Sequence, residues 1–280
     1  MATYAGDNVT HLQAAIESIL NQDHPFIELI IVIDGRVSDE RLQFFKDVQT
    51  RGNVLVLQHE VNRGPAYSRN VGIQAASGAY IAVMDADDIS KPDRISRQLA
   101  FLVGHDLDVS SSDLEIIDES GKVIGKRTLP NFHNEISSLI PYRCPLHNPS
   151  LFCKAAVLRA NLYDPSFRVA EDYELWVRLM LAGYRFGNTK YCCVSYRQSA
   201  KALSKRTGLS YAFSDLKIKL SALPLVSSGG KPIVVSTAVC AALARLFPTW
   251  LFRKLYGKRE NFFRHLTAAV GEKDLGRGRS

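Results

Sequence analysis

The chain has 280 residues, 46% hydrophobic and 22% charged, an ordinary globular composition with length for one large domain plus an appendage or two small domains. A net charge of +7 suits an anionic partner, whether nucleic acid, a nucleotide or an anionic membrane surface, without choosing among them. Five cysteines, an odd number with no C-x-x-C spacing, argue against a disulfide framework and for structural thiols in a reduced cytoplasm.

The chain opens on "MATYAGDN", which is loop-like, so the strand that should start an α/β sheet is expected to be missing. The first twenty residues lack a basic stretch followed by an apolar one, so no secretory signal is expected. Residues 11–21 put Leu12, Ala15, Ile16, Ile19 and Leu20 on one helical face, with Thr10 and Gln13 spaced as a capping box. "ELIIVI" (28–33) is β-branched without alternation, as in a strand covered on both faces, and ends at Asp34-Gly35. A helix over "RVSDERLQFFKDVQT" and a strand over 53–59 follow. Gly64-Pro65 opens a further helix through Ala76 with Gly78 as its stop, and 79–84 is the next strand. This alternation predicts an α/β sheet with parallel strands.

Beyond Pro92 a helix carries Ile95, Leu99 and Leu102, then "LDVSSSDLEIID" reads as a strand and "DESGKVIGKR" as a hairpin turning at Gly121. Residues 130–160 read as loop with short helices. Residues 171–183 form a helix with Leu175, Trp176, Leu179 and Met180 on its apolar face and Gly183 at its end. Near residue 200 the chain turns basic and polar, "RQSAKALSKRTG".

Ligands of open parallel sheets sit beyond the carboxyl ends of the strands, where Asp34 and the run Asp85, Asp87, Asp88 both fall. Asp85 and Asp87 reach one site if the chain turns sharply at Ala86. Carboxylates this close repel one another unless a cation neutralises them. Oxygen-only ligation with room for water and phosphate suits Mg²⁺ or Mn²⁺. No G-x-G-x-x-G follows any strand, which speaks against a dinucleotide-dependent dehydrogenase.

"SILNQ" (18–22), "ELIIVIDG", "NRGPAYSRNVGIQAASGAYIAVMDADDISKPDRISRQLAFL" (62–102) and "AEDYELWVRLMLAGYRF" (170–186) occur in the order seen in family 2 glycosyltransferases. With "GKRTLP" and "HNPSLF", the chain resembles the branch that builds amylovoran and other bacterial exopolysaccharides, over roughly residues 2–200. The resemblance implies a GT-A fold, a Rossmann-like mixed sheet flanked by helices, with a nucleotide-sugar donor, a divalent cation and inversion at the anomeric carbon. It places Thr3 and Tyr4 against the nucleotide, Asp34 near the base, Arg69 facing nucleotide and phosphates, Asp85 on the ribose side of the donor, and Asp87 on the metal. It makes Asp172 the catalytic base, with Glu171 beside it. From the residues alone, Glu171 and Asp172 also read as first-turn acids that stabilise a helix. The chain departs from the family in having Ile33-Asp34 where two acids are common, and His147-Asn148-Pro149 where the branch has Asn-His-Pro.

The domains expected are a catalytic unit over 1–200 and a helical tail over 201–280. In the tail, 232–256 mixes an apolar run too short to span a bilayer with Trp250, Phe252, Tyr256, Arg253, Lys254, Lys258 and Arg259. Two readings stand: docking on an anionic membrane surface, peripheral on the inner face of the cell membrane, or a helical hairpin packed on the catalytic domain. The function expected is transfer of a sugar from a nucleotide-sugar donor to a glycan or lipid-linked acceptor, with no nucleic-acid partner. A catalytically silent module that keeps the fold for assembly with other transferases is the alternative.

Overall fold

The computed structural model describes residues 1–198 and 208–246. Its first helix, α1 (Val9–Leu20), starts from Asn8, whose side chain accepts hydrogen bonds from the amides of Thr10 and His11. The cap is therefore Asn8 and not Thr10, because a carboxamide oxygen two residues earlier already satisfies the free amides. Then come β2 (Leu29–Ile33), α2 (Asp39–Gln49), β3 (Val54–Gln58), α3 (Pro65–Ala75) and β4 (Tyr80–Ala82).

The expected gap at the start is filled. Ala2–Thr3 form β1, which pairs in parallel with Val32 and Ile33 of β2. Two residues carry no periodicity, so only their hydrogen bonds reveal them as a strand. β2 lies between β1 and β3, parallel to both, and every residue in it is buried. Its odd positions Leu29, Ile31 and Ile33 pack with Leu12, Ile16, Phe45 and Val48 of α1 and α2. On the other face α3 approaches Ile30 and Val32 through Gly72, where even an added Cβ would meet the Val32 methyl at an ordinary contact distance of 3.4 Å. Burial on both faces explains the unbroken apolar run.

α3 ends at Ala75, short of the expected stop, and Gly78 lies in a loop whose amide donates to Glu28. The remaining strands form a second sheet: β4, β5 (Ile89–Ser90), β6 (Val109–Ile117), β7 (Val123–Arg127), β8 (Phe152–Lys154) and β9 (Phe186–Arg197). The strands run in the order β4-β8-β6-β9-β5, with β7 hairpinned onto β6 through Gly121 at φ 88°. β6 and β9 pair in parallel and the other pairs are antiparallel, so the architecture is mixed. One parallel bridge, Ala2 to Asp85, joins the two sheets.

Helices flank this sheet: α4 (Arg94–Gly104), α5 (His133–Leu139), α6 (Ala155–Ala160) and α7 (Glu171–Leu181). The fully buried Trp176 of α7 centres the larger core cluster, and an alanine there would cost about 3–5 kcal/mol. Two more helices follow, α8 (Leu209–Ser221) and α9 (Lys231–Ala244), packed on each other. Asp215 of α8 is buried between Lys219 at 2.6 Å and Arg245 at 3.4 Å. Ile218 and Ala222 join the cluster of Leu175 and Trp176, which seats α8 against α7. The basic run after Gln198 and the aromatic and basic residues from Trp250 to Arg259 lie outside the described residues.

Candidate active site

A strand that stops at Ala82 delivers Asp85, Ala86, Asp87 and Asp88 in quick succession, with a turn at Ala86-Asp87. Asp85 faces β1, and its carboxylate accepts a hydrogen bond from Arg69 Nη2 at 3.0 Å. The same guanidinium donates through Nη1 to Glu171 at 2.5 Å. Arg69 projects from α3, whereas Glu171 opens α7, so one cation ties three elements together: two helices and the end of β4. Arg69 also lies 5.6 Å over the Tyr163 ring, whose hydroxyl donates to Asn148 at 2.7 Å. Burial works against its charge, but Asp85 and Glu171 more than offset it and raise its pKa. Asn148 of the "HNPS" segment is therefore a support beneath Arg69, while the His147 carbonyl accepts from the hydroxyls of Ser111 and Ser150.

Asp87 stands on the exposed side of the turn. Desolvation of the carboxyl, then the charge of Asp85, push it up to about 6; Asp7 adds to the rise and Arg197 opposes it. Asp88 points the other way and is fully buried. Its Oδ1 accepts the Arg197 amide at 2.7 Å, and its Oδ2 has no hydrogen-bond partner among the described residues. Burial, then Asp85 and Asp87, hold its carboxyl well above the usual carboxylate range.

Two arginines that sequence reasoning passed over brace this turn. Arg94, fully buried, donates to the Val83 and Leu151 carbonyls, to Gln98 and to the Met84 sulfur. Burial brings it down to about 10, against the opposing pull of Cys193, Asp88 and Asp85. Arg197, at the end of β9, donates from Nε to the Asp87 carbonyl at 2.9 Å and from Nη1 to the carbonyls of Asp118 and Glu119. The acids are thus not held apart from positive charge: Arg69, Arg94 and Arg197 surround Asp85, Asp87, Asp88 and Glu171. The only signal that could have found them is their place in basic-acidic runs beside strand ends, which many surface arginines share.

Asp172 follows Glu171 in the first turn of α7, and its Oδ1 accepts the Tyr173 amide at 2.8 Å. The residue before this pair, Ala170, is left-handed at φ 58°, ψ 29°. An alanine there costs about 1–2 kcal/mol and persists only where the surroundings force it, a pattern found around reactive groups.

Other expected residues gather less tightly. Thr3 is buried beside this cluster and donates to Asp7 at 2.8 Å, while Tyr4 is exposed and its amide donates to the same carboxylate at 3.0 Å. Asp7 went unnoticed in the sequence, since one acid in a loop carries no pattern. Asp34 spends both oxygens on the amides of Arg63 (2.7 Å) and Gly64 (2.9 Å), which sets the loop before α3. Gly64, the cap of α3, stands five residues ahead of Arg69, about 7.5 Å along the helix axis.

The donor chemistry fits a hard divalent cation. Among the described residues no three His, Cys, Asp or Glu side chains converge to grip an ion by themselves. Asp87, with the free oxygen of Asp85, offers one or two carboxylates. That is the protein share where phosphate oxygens and water complete a Mg²⁺ or Mn²⁺ shell.

Residues 3–164 match the family model described as glycosyl transferase family 2. An O-antigen biosynthesis glycosyltransferase, WbnJ, of Escherichia coli is 30% identical over 72% of this chain and 79% of its own. The amylovoran biosynthesis glycosyltransferase AmsE of Erwinia amylovora is 28% identical over 92% and 97%. A glycosyltransferase of Rickettsia bellii is 32% identical over 59% of this chain, which spans only 24% of that longer protein. The fold is similar to that of S. aureus TarS 1-349, solved in complex with UDP-GlcNAc (TM-score 0.68, 18% identity, 88% of this chain and 72% of that one). It is also similar to that of the mannosyltransferase PcManGT from Pyrobaculum calidifontis, solved with GDP-Man and Mn2+ (TM-score 0.57, 14% identity, 95% and 82%).

Proposed function

The chain belongs to glycosyl transferase family 2, and on that premise we propose that it is an inverting transferase. In this reading it moves a sugar from a nucleotide-sugar donor onto a growing surface polysaccharide or its lipid-linked precursor. The observation that carries the reading is the ion-pair chain Asp85–Arg69–Glu171, which ties the acidic turn to the first turn of α7. The biosynthetic names of the Escherichia coli and Erwinia relatives support the polysaccharide side.

In this reading Asp85 and Asp87 hold Mg²⁺ or Mn²⁺ together with the donor diphosphate. That cation, when bound, stabilises negative charge on the departing diphosphate. Thr3, Tyr4 and Asp34 line the nucleotide side, with Asp34 acting through the loop it shapes. Asp172 takes the proton from the acceptor hydroxyl as that oxygen attacks the anomeric carbon, and the donor's glycosyl–phosphate bond breaks on the opposite face. A single displacement with one base inverts the centre and needs no covalent sugar intermediate. Its place in the first turn of α7 favours the ionised carboxylate. Glu171 positions α7 through Arg69 and does not itself move a proton.

The catalytic unit spans 1–200, and the tail 201–280 docks it on the inner face of the cell membrane, where a lipid-linked acceptor is presented. No helix among the described residues is long and apolar enough to cross a membrane. A silent module would be favoured by a sheet without its first strand, but β1 is present.

The test compares two substitutions in calorimetry and transfer assays with UDP-, GDP- and dTDP-sugars. Asp172→Asn is expected to keep donor affinity and lose transfer by about 10²–10⁴-fold. Asp87→Ala is expected to lose cation-dependent donor binding. Transfer by Asp172→Asn at the unmodified rate would overturn the base assignment.

A further inference from the structure

The positive charge of this protein is not spread along it. Residues 208–280 hold twelve Lys and Arg against four Asp and Glu, a net of +8, while residues 1–207 net −1. Among the described residues of that segment the one acid is Asp215, and it is buried against Lys219 and Arg245. Lys217 and Lys231 are exposed, so α8 and α9 show solvent no negative side chain.

The same two helices expose an unusual amount of apolar surface. On α8, Leu209 (64% exposed), Phe213 (68%) and Leu220 follow at i, i+4 and i+11, which lines them up in one stripe. On α9, Val235, Val239 and Leu243 (55% exposed) line up likewise at i, i+4 and i+8, and exposed Leu246 follows just past the helix end. α9 has no charged side chain between Lys231 and Arg245, and its apolar residues run all round the helix. A helix of that kind is expected in a core or in lipid, yet only Val234, Ala238 and Ala241 are buried.

We infer that the exposed stripes of α8 and α9 are a docking surface for an anionic lipid bilayer, and that they set the transferase on it with α7 next to the surface helices. Apolar stripes enter the acyl boundary while bases meet the headgroups, the pairing that holds interfacial helices. A nucleic acid would match the charge but leave the stripes in water. Because Ile218 of α8 and Ala222 at its end pack into the core of α7, the helix that carries Glu171 and Asp172 is one helix spacing, about 10 Å, from the docked layer. A headgroup-borne acceptor then needs little reach to meet the first turn of α7. This placement deepens the lipid-linked reading of the acceptor and rests on it; the binding itself does not.

The experiment uses the full chain in vesicle flotation, with phosphatidylethanolamine–phosphatidylglycerol against phosphatidylcholine alone, and compares it with Phe213→Asp/Val239→Asp. Both sites are exposed, so circular dichroism and donor calorimetry are expected to match the unmodified chain. The expected result is flotation with the anionic vesicles only, weakened by salt, and a partition coefficient lowered about tenfold or more by the two substitutions. Equal flotation of the two chains overturns the inference. So does an unmodified chain that stays in solution and elutes as a dimer which the substitutions split, since a second copy then covers the stripes. Failure of donor calorimetry with intact flotation would instead sink the transferase reading and leave the docking surface standing.

Discussion

Removing the Arg69 guanidinium is the sharpest test of the ion-pair chain. Its side chain is 13% exposed, that of Glu171 12% and that of Asp85 31%, so Arg69→Met strands one nearly buried carboxylate and one partly solvated one. Breaking a buried pair from one side costs about 3–5 kcal/mol. Water reaching Asp85 argues for the lower end, about 3 kcal/mol. For a domain of this size that is roughly 6–12 °C in Tm. Glu171→Gln keeps a hydrogen-bond acceptor but drops the charge, and is expected to cost about 1–2 kcal/mol. With both changes together the stranded charge at 171 is gone, so the double variant is expected to be more stable than the sum of the singles by about 2 kcal/mol. Urea denaturation of the four chains at pH 7 without added metal gives the cycle. Additivity within 0.5 kcal/mol would refute the claim that Arg69 couples α7 to the acidic turn.

Arg197→Met removes the donor for the Asp87 carbonyl in the turn and for the Asp118 and Glu119 carbonyls of the β6–β7 hairpin, at about 1 kcal/mol each, and is expected to weaken Mn²⁺-dependent donor binding in calorimetry; Arg197→Lys should recover part of both. For pH, Asp87 is raised to about 6, and it faces Asp85, Asp7 and Arg197. An acid whose folded pKa lies above its unfolded one binds protons more tightly when folded, so its ionisation opposes folding: the contribution is intact below about 3.8 and is lost as pH rises through 6. Metal-free protein is therefore expected to gain from this group between pH 7 and 5, whereas Mn²⁺ affinity falls over the same interval; differential scanning fluorimetry and metal titration at each pH read the two. Ala170→Gly relieves the left-handed alanine and is expected to raise stability by about 0.5–1 kcal/mol while lowering kcat, because Glu171 and Asp172 lose their fixed entry; a lower Tm would count against strain.

Burial wrote itself plainly into parts of this chain. Ile30 to Ile33 are apolar because helices cover both faces of β2, and no other element gives that run. Trp176, Leu179 and Met180 repeat at helical spacing because one face of α7 meets the core. β1 and β8 could not be read the same way: two or three residues complete no period, and they become strands only through partners far along the chain. The acids of the site stood out because three aspartates within four positions follow directly on an apolar strand, and carboxylates that close repel unless a cation neutralises them. Two of their balancing partners did not stand out, because Arg94 and Arg197 acquire that role from the packing of α4 and β9. The family order named Arg69 as facing phosphate; its hold on Glu171, 102 residues away, needed coordinates.

Arg94 reaches the acidic turn from inside the molecule, where bulk electrolyte does not follow. Mobile ions mask an exposed charge beyond about 8–10 Å at physiological ionic strength, but they have no path to a guanidinium sealed behind Val83 and Leu151. The turn is thus backed by a counter-charge whose strength is fixed by covalent connectivity and not by the buffer. Raising sodium chloride should loosen the grip of α8 and α9 on vesicles while leaving the field behind Asp85 and Asp88 nearly as it was.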